Sequence, residues 1–194
     1  SLRKQCPWEV QLALADDRFL EYIYAVLPAW GMHRMGKQAA KVGDFRDMVE
    51  SFRASSVLLE SVADQRITRV SPGDADDLAT ALWEIISRLR VSTSATRIVA
   101  GSKALHHVLP DLVPPIDRQY TFQFFTGQKS LYRGERVAFL EWFPLLCEIA
   151  TRSARTIEAG MARGGFMATG EAKIVDNAIM GFMQRGRTVD DADV

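Results

Sequence analysis

Apolar residues recur at intervals of three and four positions along most of the chain. In one stretch they are Leu78, Leu82, Ile85 and Leu89, which share one face of a helix. Segments that alternate apolar and polar residues, as a half-buried strand does, are not evident, and the Val/Ile-containing run 67–70 is too isolated to form a sheet. The spacing therefore predicts an all-α fold.

Helix breakers divide this pattern into about eight helices. Glu135 begins the longest helical run, which extends to about residue 161, and Pro144 is expected to kink or divide it. A last helix is predicted over 171–183. The remaining breakers are Pro28, the run 71–74, Pro110, the pair 114–115 and the pair 164–165.

Length and composition fit one domain. The chain has 194 residues, of which 47% are apolar, and this is enough to build one hydrophobic core. We predict a compact multi-helix domain over 1–186, with a two-lobed form around a cleft as one arrangement. A short acidic tail over 187–194 is expected to be disordered.

Charge and cysteine content disfavour several classes of protein. Lys plus Arg and Asp plus Glu both number 24, so the chain lacks the overall positive charge of a strongly basic nucleic-acid binder, although a local patch could still bind one. Cys6 and Cys147 form neither a disulfide framework nor a Cys-x-x-Cys pair, and Cys147 is expected to be buried and inert. No apolar run of roughly 18 residues and no signal-peptide pattern is present, so we expect a cytoplasmic protein without a membrane partner.

Polar groups of chemical interest are concentrated in four segments that otherwise contain many apolar residues. The segments are 30–36, 101–107, 114–121 and 173–179, and they include all three histidines. We predict that Lys103, Asp117 and one of the histidines of the second segment lie around one cleft, since polar groups at the edge of a core often form functional sites. The expected ligand-binding residues are Ser102, Lys103, His106, His33, Arg118 and Asn177, with Asp117 as the candidate catalytic carboxylate.

A metal site and a serine nucleophile are both disfavoured by residue spacing. His33, His106 or His107, and Asp117 have suitable ligand atoms, but adjacent histidines on a helix diverge by about 100° and do not share one ion. Ser102 and Lys103 are also neighbours on a helix and do not face each other. We therefore predict no metal and no cofactor.

An anion site at 100–103 has more support from the residues. Backbone N–H groups there would face a phosphate if a helix began at this point, although the Walker spacing needed for triphosphate hydrolysis is missing. The alternative is that Gly101 allows close packing against another helix and that Lys103 is solvated. Both interpretations stay open at the level of sequence.

The segment 98–124 resembles known sequence patterns. Gly-Ser-Lys-Ala-Leu at 101–105, Leu-Pro-Asp-Leu at 109–112 and Pro-Pro-Ile-Asp-Arg at 114–118 resemble a pattern of bacterial proteins of unknown function. They are also similar to the helix-hairpin-helix DNA glycosylase superfamily, in which a glycine-rich hairpin with a lysine leads into a helix and a loop then presents a catalytic aspartate. The resemblance implies that 101–103 hold a DNA phosphate and that Asp117 is catalytic, although only Gly101 stands where that family has paired glycines.

Three functions are compatible with these patterns. The favoured one is interaction with a nucleic acid or a nucleobase through a cleft lined by the Ser-Lys and Pro-Pro-Ile-Asp-Arg segments. A non-enzymatic interaction or adaptor domain would use the same polar residues only to tie helices together, and Asp117 would then cap a helix over 118–125. A small-ligand binder would place His33, Lys103, Asp117 and Asn177 around one pocket.

Overall fold

The computed structural model describes residues 9–32, 41–165 and 168–190, and within these ranges the chain is all-α. No β-strand occurs there, and one isolated antiparallel bridge joins Val42 and Ser92. A π-helical turn, Pro28–Met32, follows the second helix, and a 3-10 turn, Ile67–Arg69, follows the fourth. The ten α-helices of the described ranges are α1 (Val10–Ala15), α2 (Asp17–Leu27), α3 (Phe45–Ala54), α4 (Ser56–Ser61), α5 (Ala75–Arg88), α6 (Ile98–Val108), α7 (Thr121–Thr126), α8 (Glu135–Arg152), α9 (Ala154–Arg163) and α10 (Glu171–Asp190).

The predicted apolar faces form the core. Helices α5 and α8 pack along each other at its centre, and the 3-10 turn packs against α8. Leu82 and Ile86 of α5 and Phe139 and Phe143 of α8 are almost completely buried. Helix α6 contacts α2, α5 and α8, and α10 contacts α7, α8 and α9. This packing brings the middle of the chain and its last helix to the same region as the end of α2.

Three boundaries differ from those expected from sequence. Pro144 lies inside α8 without dividing it, because the apolar residues on both sides of it, including Phe143 and Leu146, are buried. Their burial outweighs the roughly 3 kcal/mol that an interior proline costs, and the break comes instead at Ser153. Residues 28–32 continue α2 as a π-helical turn, and α10 reaches Asp190, so 187–190 of the expected tail are helical. Residues 191–194 lie outside the described ranges.

Gly101 lies within a helix and permits close packing. It belongs to the first turns of α6, where a Cβ atom would come within 2.8 Å of the Ile86 side chain on α5. Its N–H donates to the carbonyl of Arg97 at 2.8 Å. Helix α6 thus begins before 101, and the close-packing interpretation of Gly101 is confirmed. The condition for an anion site at 100–103, a helix that starts there, is not met, because α6 begins at Ile98.

Candidate functional site

Trp30 lies where three of the four polar segments meet. Lys103 of α6 donates from Nζ to the Trp30 carbonyl at 2.7 Å, and Lys173 of α10 places Nζ 5.2 Å from the centroid of the Trp30 ring. The ring of His107 lies against the same indole, with centroids 4.8 Å apart. Together with Asp176, the partner of Lys173, they form a group that we call the Trp30 cluster. Its members are Trp30, Lys103, His107, Lys173 and Asp176.

A buried ion pair forms the part of the cluster on α10. Lys173 Nζ donates to Asp176 Oδ2 at 2.6 Å, and their side chains are 13% and 5% exposed. Burial raises the pKa of Asp176, the positive charges of Lys173 and Lys103 lower it, and the negative charge of Asp117 raises it. Lys103 and Asp117 thus lie close enough to act on one carboxyl group. That they line one cleft together with a histidine stays a prediction.

His107 contributes a neutral imidazole. Burial, and to a smaller extent the positive charge of Lys173, lower its pKa to about 4. Its Nε2 is buried and has no hydrogen-bond partner within the described ranges. Tyr22 contacts the ring edge-to-face at 5.9 Å. A buried nitrogen of this kind can donate to or accept from a bound molecule, depending on its tautomer.

Ser102 and His106, predicted as ligand-binding residues, use polar atoms to hold the backbone. The hydroxyl of Ser102 accepts from the Ile116 N–H at 3.0 Å and donates to the Val99 carbonyl at 3.3 Å. His106 Nδ1 lies 2.8 Å from the Val113 carbonyl, and since a carbonyl only accepts, this nitrogen carries the proton. Both side chains therefore fasten the extended segment 113–116 to α6, and this segment positions Asp117.

Asp117 caps a turn. Its Oδ1 accepts from the Tyr120 N–H at 2.6 Å, and its own N–H donates to the Thr121 hydroxyl at 3.2 Å. The predicted cap of a helix over 118–125 is wrong in this respect: 118–120 form a turn that Asp117 caps, and α7 begins at Thr121 with Tyr120 as its N-cap residue and no side-chain cap bond. Arg118 is exposed on this turn, and Asn177 is half-buried on α10 beside Asp176. His33 lies outside the described residues.

Lys173 and Asp176 were not among the residues predicted from sequence. Both belong to the segment 173–179, of which only Asn177 was chosen. The sequence pattern that could have identified them is a lysine and an aspartate three positions apart, which places both on one side of a helix. The residues around them, Ile174, Val175 and Ile179, are apolar. A charged pair on a buried helix face indicates a site of structural or functional interest.

A second polar network lies at the beginning of α10. Arg66 donates to Glu171 Oε1 at 2.8 Å, and the Thr68 hydroxyl donates to Oε2 at 2.7 Å. Asp111 Oδ1 accepts from the Glu171 N–H at 3.1 Å. This network joins three distant segments and is structural. In the part of the chain that the structure describes, no group of three His, Cys, Asp or Glu side chains is arranged to hold a metal ion.

Comparison with known proteins identifies no relative. No family model matches the chain, and no curated protein or solved structure is significantly similar to it. Across 9–32, 41–165 and 168–190, no helix is both long and apolar enough to cross a membrane. The residues that bear on function are those of the Trp30 cluster and Asp117.

Proposed function

We propose that the chain binds a nucleobase-containing ligand, either a nucleotide or a nucleotide unit of a nucleic acid, at the Trp30 cluster. The observation that carries the proposal is the convergence of two lysine side chains and a neutral imidazole on Trp30, where Lys103 bonds its carbonyl, Lys173 and His107 lie against its ring, and the Asp176 carboxylate pairs with Lys173. These groups come from α6 and α10, which are far apart in sequence. Buried charges with specific partners are more frequent at functional sites than elsewhere.

A nucleotide offers partners to Trp30, to the two lysines and to His107 of the cluster, and to Asp117 outside it. The ammonium groups of Lys103 and Lys173 suit a phosphate oxygen. Trp30 supplies an aromatic surface, and stacking of a base on such a ring is worth about 1–3 kcal/mol. The carboxylate of Asp117 accepts from N–H groups on a base edge, and His107 Nε2 can form one further hydrogen bond.

The remote relationship to helix-hairpin-helix glycosylases belongs to this proposal, together with a two-lobed form around a cleft. Its support is that Lys103 and Asp117, the two residues that the resemblance pairs, both act on Asp176. A carboxylate beside a flipped base would stabilise a cationic sugar. The resemblance implies that backbone N–H groups of 101–103 hold a phosphate, but the Gly101 N–H is already bonded within α6. A phosphate would therefore contact the Lys103 side chain.

An interaction or adaptor domain is the second candidate. It is favoured by the contacts that Ser102, His106 and Asp117 make with the backbone, because these contacts stabilise the fold without any ligand. In that case the Trp30 cluster would serve only to join α2, α6 and α10. The two candidates differ in whether lysine substitutions change the binding of nucleotides.

A binding titration with matched lysine variants tests the proposal. Mononucleotides, single-stranded DNA and duplex DNA are titrated into the full chain over a range of salt concentrations, since phosphate contacts weaken with salt. Lys103→Met and Lys173→Met should each weaken binding about tenfold or more, the loss expected for one charge-assisted hydrogen bond. Lys129→Met removes the same charge from an exposed position after α7 and should bind as the wild type does. Absence of binding to all three ligands at low salt, or an equal loss in all three variants, would contradict the proposal.

A further inference from the structure

We infer that Lys173 is the phosphate-binding group on the α10 side of the Trp30 cluster, and that on binding a phosphodiester it leaves Asp176, which takes up one proton. The inference rests on the proposed function and adds the mode of binding and its dependence on pH. Three features support it: both members of the ion pair lie on α10, the backbone N–H groups at the start of α10 are already bonded, and the Asp176 carboxyl is surrounded by charged side chains.

The Lys173–Asp176 pair joins no two elements of the fold. Both residues lie on α10, three positions apart, and their side chains are 13% and 5% exposed. Removing two charges from water is costly, and a buried pair is often no more stabilising than apolar residues of similar size. Within the described ranges, Asp176 is the one hydrogen-bond acceptor of Lys173, and the ammonium group also lies over Trp30. Lys173 can therefore exchange its partner without separating any helices.

The N-terminus of α10 offers no alternative anion site. The N–H of Glu171 donates to Asp111 Oδ1, that of Ala172 to the Pro110 carbonyl at 3.2 Å, and that of Lys173 to the Gly170 carbonyl at 3.1 Å. These are the donors that an anion at a helix N-terminus would use. A phosphate on this side of the cluster must be held by the lysine side chain.

Exchange of partner by Lys173 changes the proton affinity of Asp176. Burial raises the pKa of this carboxyl, and Lys173 is the strongest influence that opposes the rise; Lys103 opposes it more weakly, and Asp117 adds to it. A phosphodiester carries one negative charge and neutralises Lys173. Asp176 is then buried with less positive charge nearby, so its pKa rises further. One proton passes from solvent to the Asp176 carboxylate, while Lys173 keeps its own protons.

His107 is the other group whose protonation could change. The charge of Lys173 lowers its pKa, so neutralisation of that charge would raise it. Glu171 is held by Arg66 and Thr68 at the start of α10, and these contacts do not involve Lys173. A variant at His107 therefore separates the two candidate proton acceptors.

Calorimetry of the full chain with a thymidine dinucleotide tests the inference. This probe has a single phosphodiester, whereas a phosphate monoester itself titrates near about pH 6. Titrations in buffers with different ionisation enthalpies measure the number of protons taken up. Wild type should take up close to one proton per dinucleotide at the pH where uptake is greatest, and its affinity should fall by up to about tenfold per pH unit there. His107→Phe loses one hydrogen bond to the ligand and should bind more weakly, but it should take up the same number of protons per dinucleotide bound. Asp176→Asn should take up none, and its affinity should not depend on pH.

The outcomes separate the inference from the proposed function. Dinucleotide binding without proton uptake would overturn the inference and leave the function standing, as would uptake that persists in Asp176→Asn and disappears in His107→Phe. Failure of every nucleotide and nucleic acid to bind would overturn both. If Asp176→Asn does not fold, carboxyl carbon NMR of the wild type decides the question, because the Asp176 resonance must move toward its protonated position when the dinucleotide is added.

Discussion

Asp117 places one carboxylate oxygen 2.6 Å from the Tyr120 nitrogen, and this bond determines what each substitution at 117 should do. Asp117→Asn keeps an oxygen at this position and should unfold at nearly the same temperature as the wild type. Asp117→Ala removes the acceptor and should lower stability by about 1 kcal/mol. Thermal unfolding of the two variants measures the difference, which for a chain of this length corresponds to about 2–4 °C.

The same two variants separate capping from catalysis. If Asp117 is a glycosylase carboxylate, Asp117→Asn should fold normally and lose base excision on damaged or mismatched duplex, because an amide cannot supply the negative charge. Excision that is unchanged in both variants would remove Asp117 from the mechanism. Inactivity of the wild type on a broad panel of lesions would remove the glycosylase activity itself.

The low pKa of His107 predicts that the free energy of unfolding decreases in acid. Its pKa is lowered from 6.5 to about 4 in the folded protein, so the unfolded chain binds more protons between these values. Stability should therefore fall as the pH drops below 6.5, by up to about 3 kcal/mol near pH 4. His107→Phe removes the titrating group and should flatten this part of the pH profile in urea unfolding. An imidazole that titrates near 6.5 by nitrogen NMR would contradict the prediction.

At the scale of elements, α8 supplies the cap for α6. Glu135, the first residue of α8, accepts through Oε2 from the N–H groups of Arg97 at 2.7 Å and Ile98 at 3.3 Å. Glu135→Ala should cost about 1 kcal/mol and speed hydrogen exchange at these two amides, as loss of a helix cap does. Glu148→Ala is the control, because its partner Arg152 is exposed and such pairs contribute little. Equal exchange rates in both variants would show that Glu135 does not cap α6.

The cap from Glu135 also shows which boundaries a sequence can predict. The limits of α5 follow from local signals, since 71–74 precede it and its apolar residues keep a regular spacing. The start of α6 has no such signal, because its cap comes from 38 positions away. Pro144 is misleading for the opposite reason: its local effect is strong, but burial of Phe143 and Leu146 outweighs it.

At the scale of the whole molecule, Gly170 fixes how α10 meets the rest of the fold. A Cβ atom at this position would come within 2.2 Å of the Pro110 carbonyl oxygen, which is backbone and cannot rotate away. Gly170→Ala should therefore destabilise the protein by about 1–3 kcal/mol or more. Gly181→Ala, on α10 with nothing within 4 Å, should instead stabilise it by about 0.5–1 kcal/mol. Urea unfolding of both variants checks the opposite signs.

The candidate site could be predicted from sequence only in part, because its contacts join residues that are far apart in the chain. Lys103 and Asp117 stood out because polar groups were unusual in their segments, and the structure brings both near Asp176. The hydrogen bond from Lys103 to Trp30 spans 73 positions, and no local pattern contains it. Within α6, Ser102 bonds the backbone of 116 and Lys103 bonds Trp30. These different roles depend on contacts with other elements of the fold, which the sequence of α6 does not show.

The contact between Arg66 and Glu171 has a consequence for synthesis in the cell. The two residues are 105 positions apart, and a ribosome adds roughly 5–20 residues per second. About 5–20 s thus pass after Arg66 is made before its carboxylate partner exists. For most of that interval the segment around the 3-10 turn lacks α8, and throughout it lacks α10. Ile67 and its apolar neighbours are therefore accessible to chaperones until these helices have been translated.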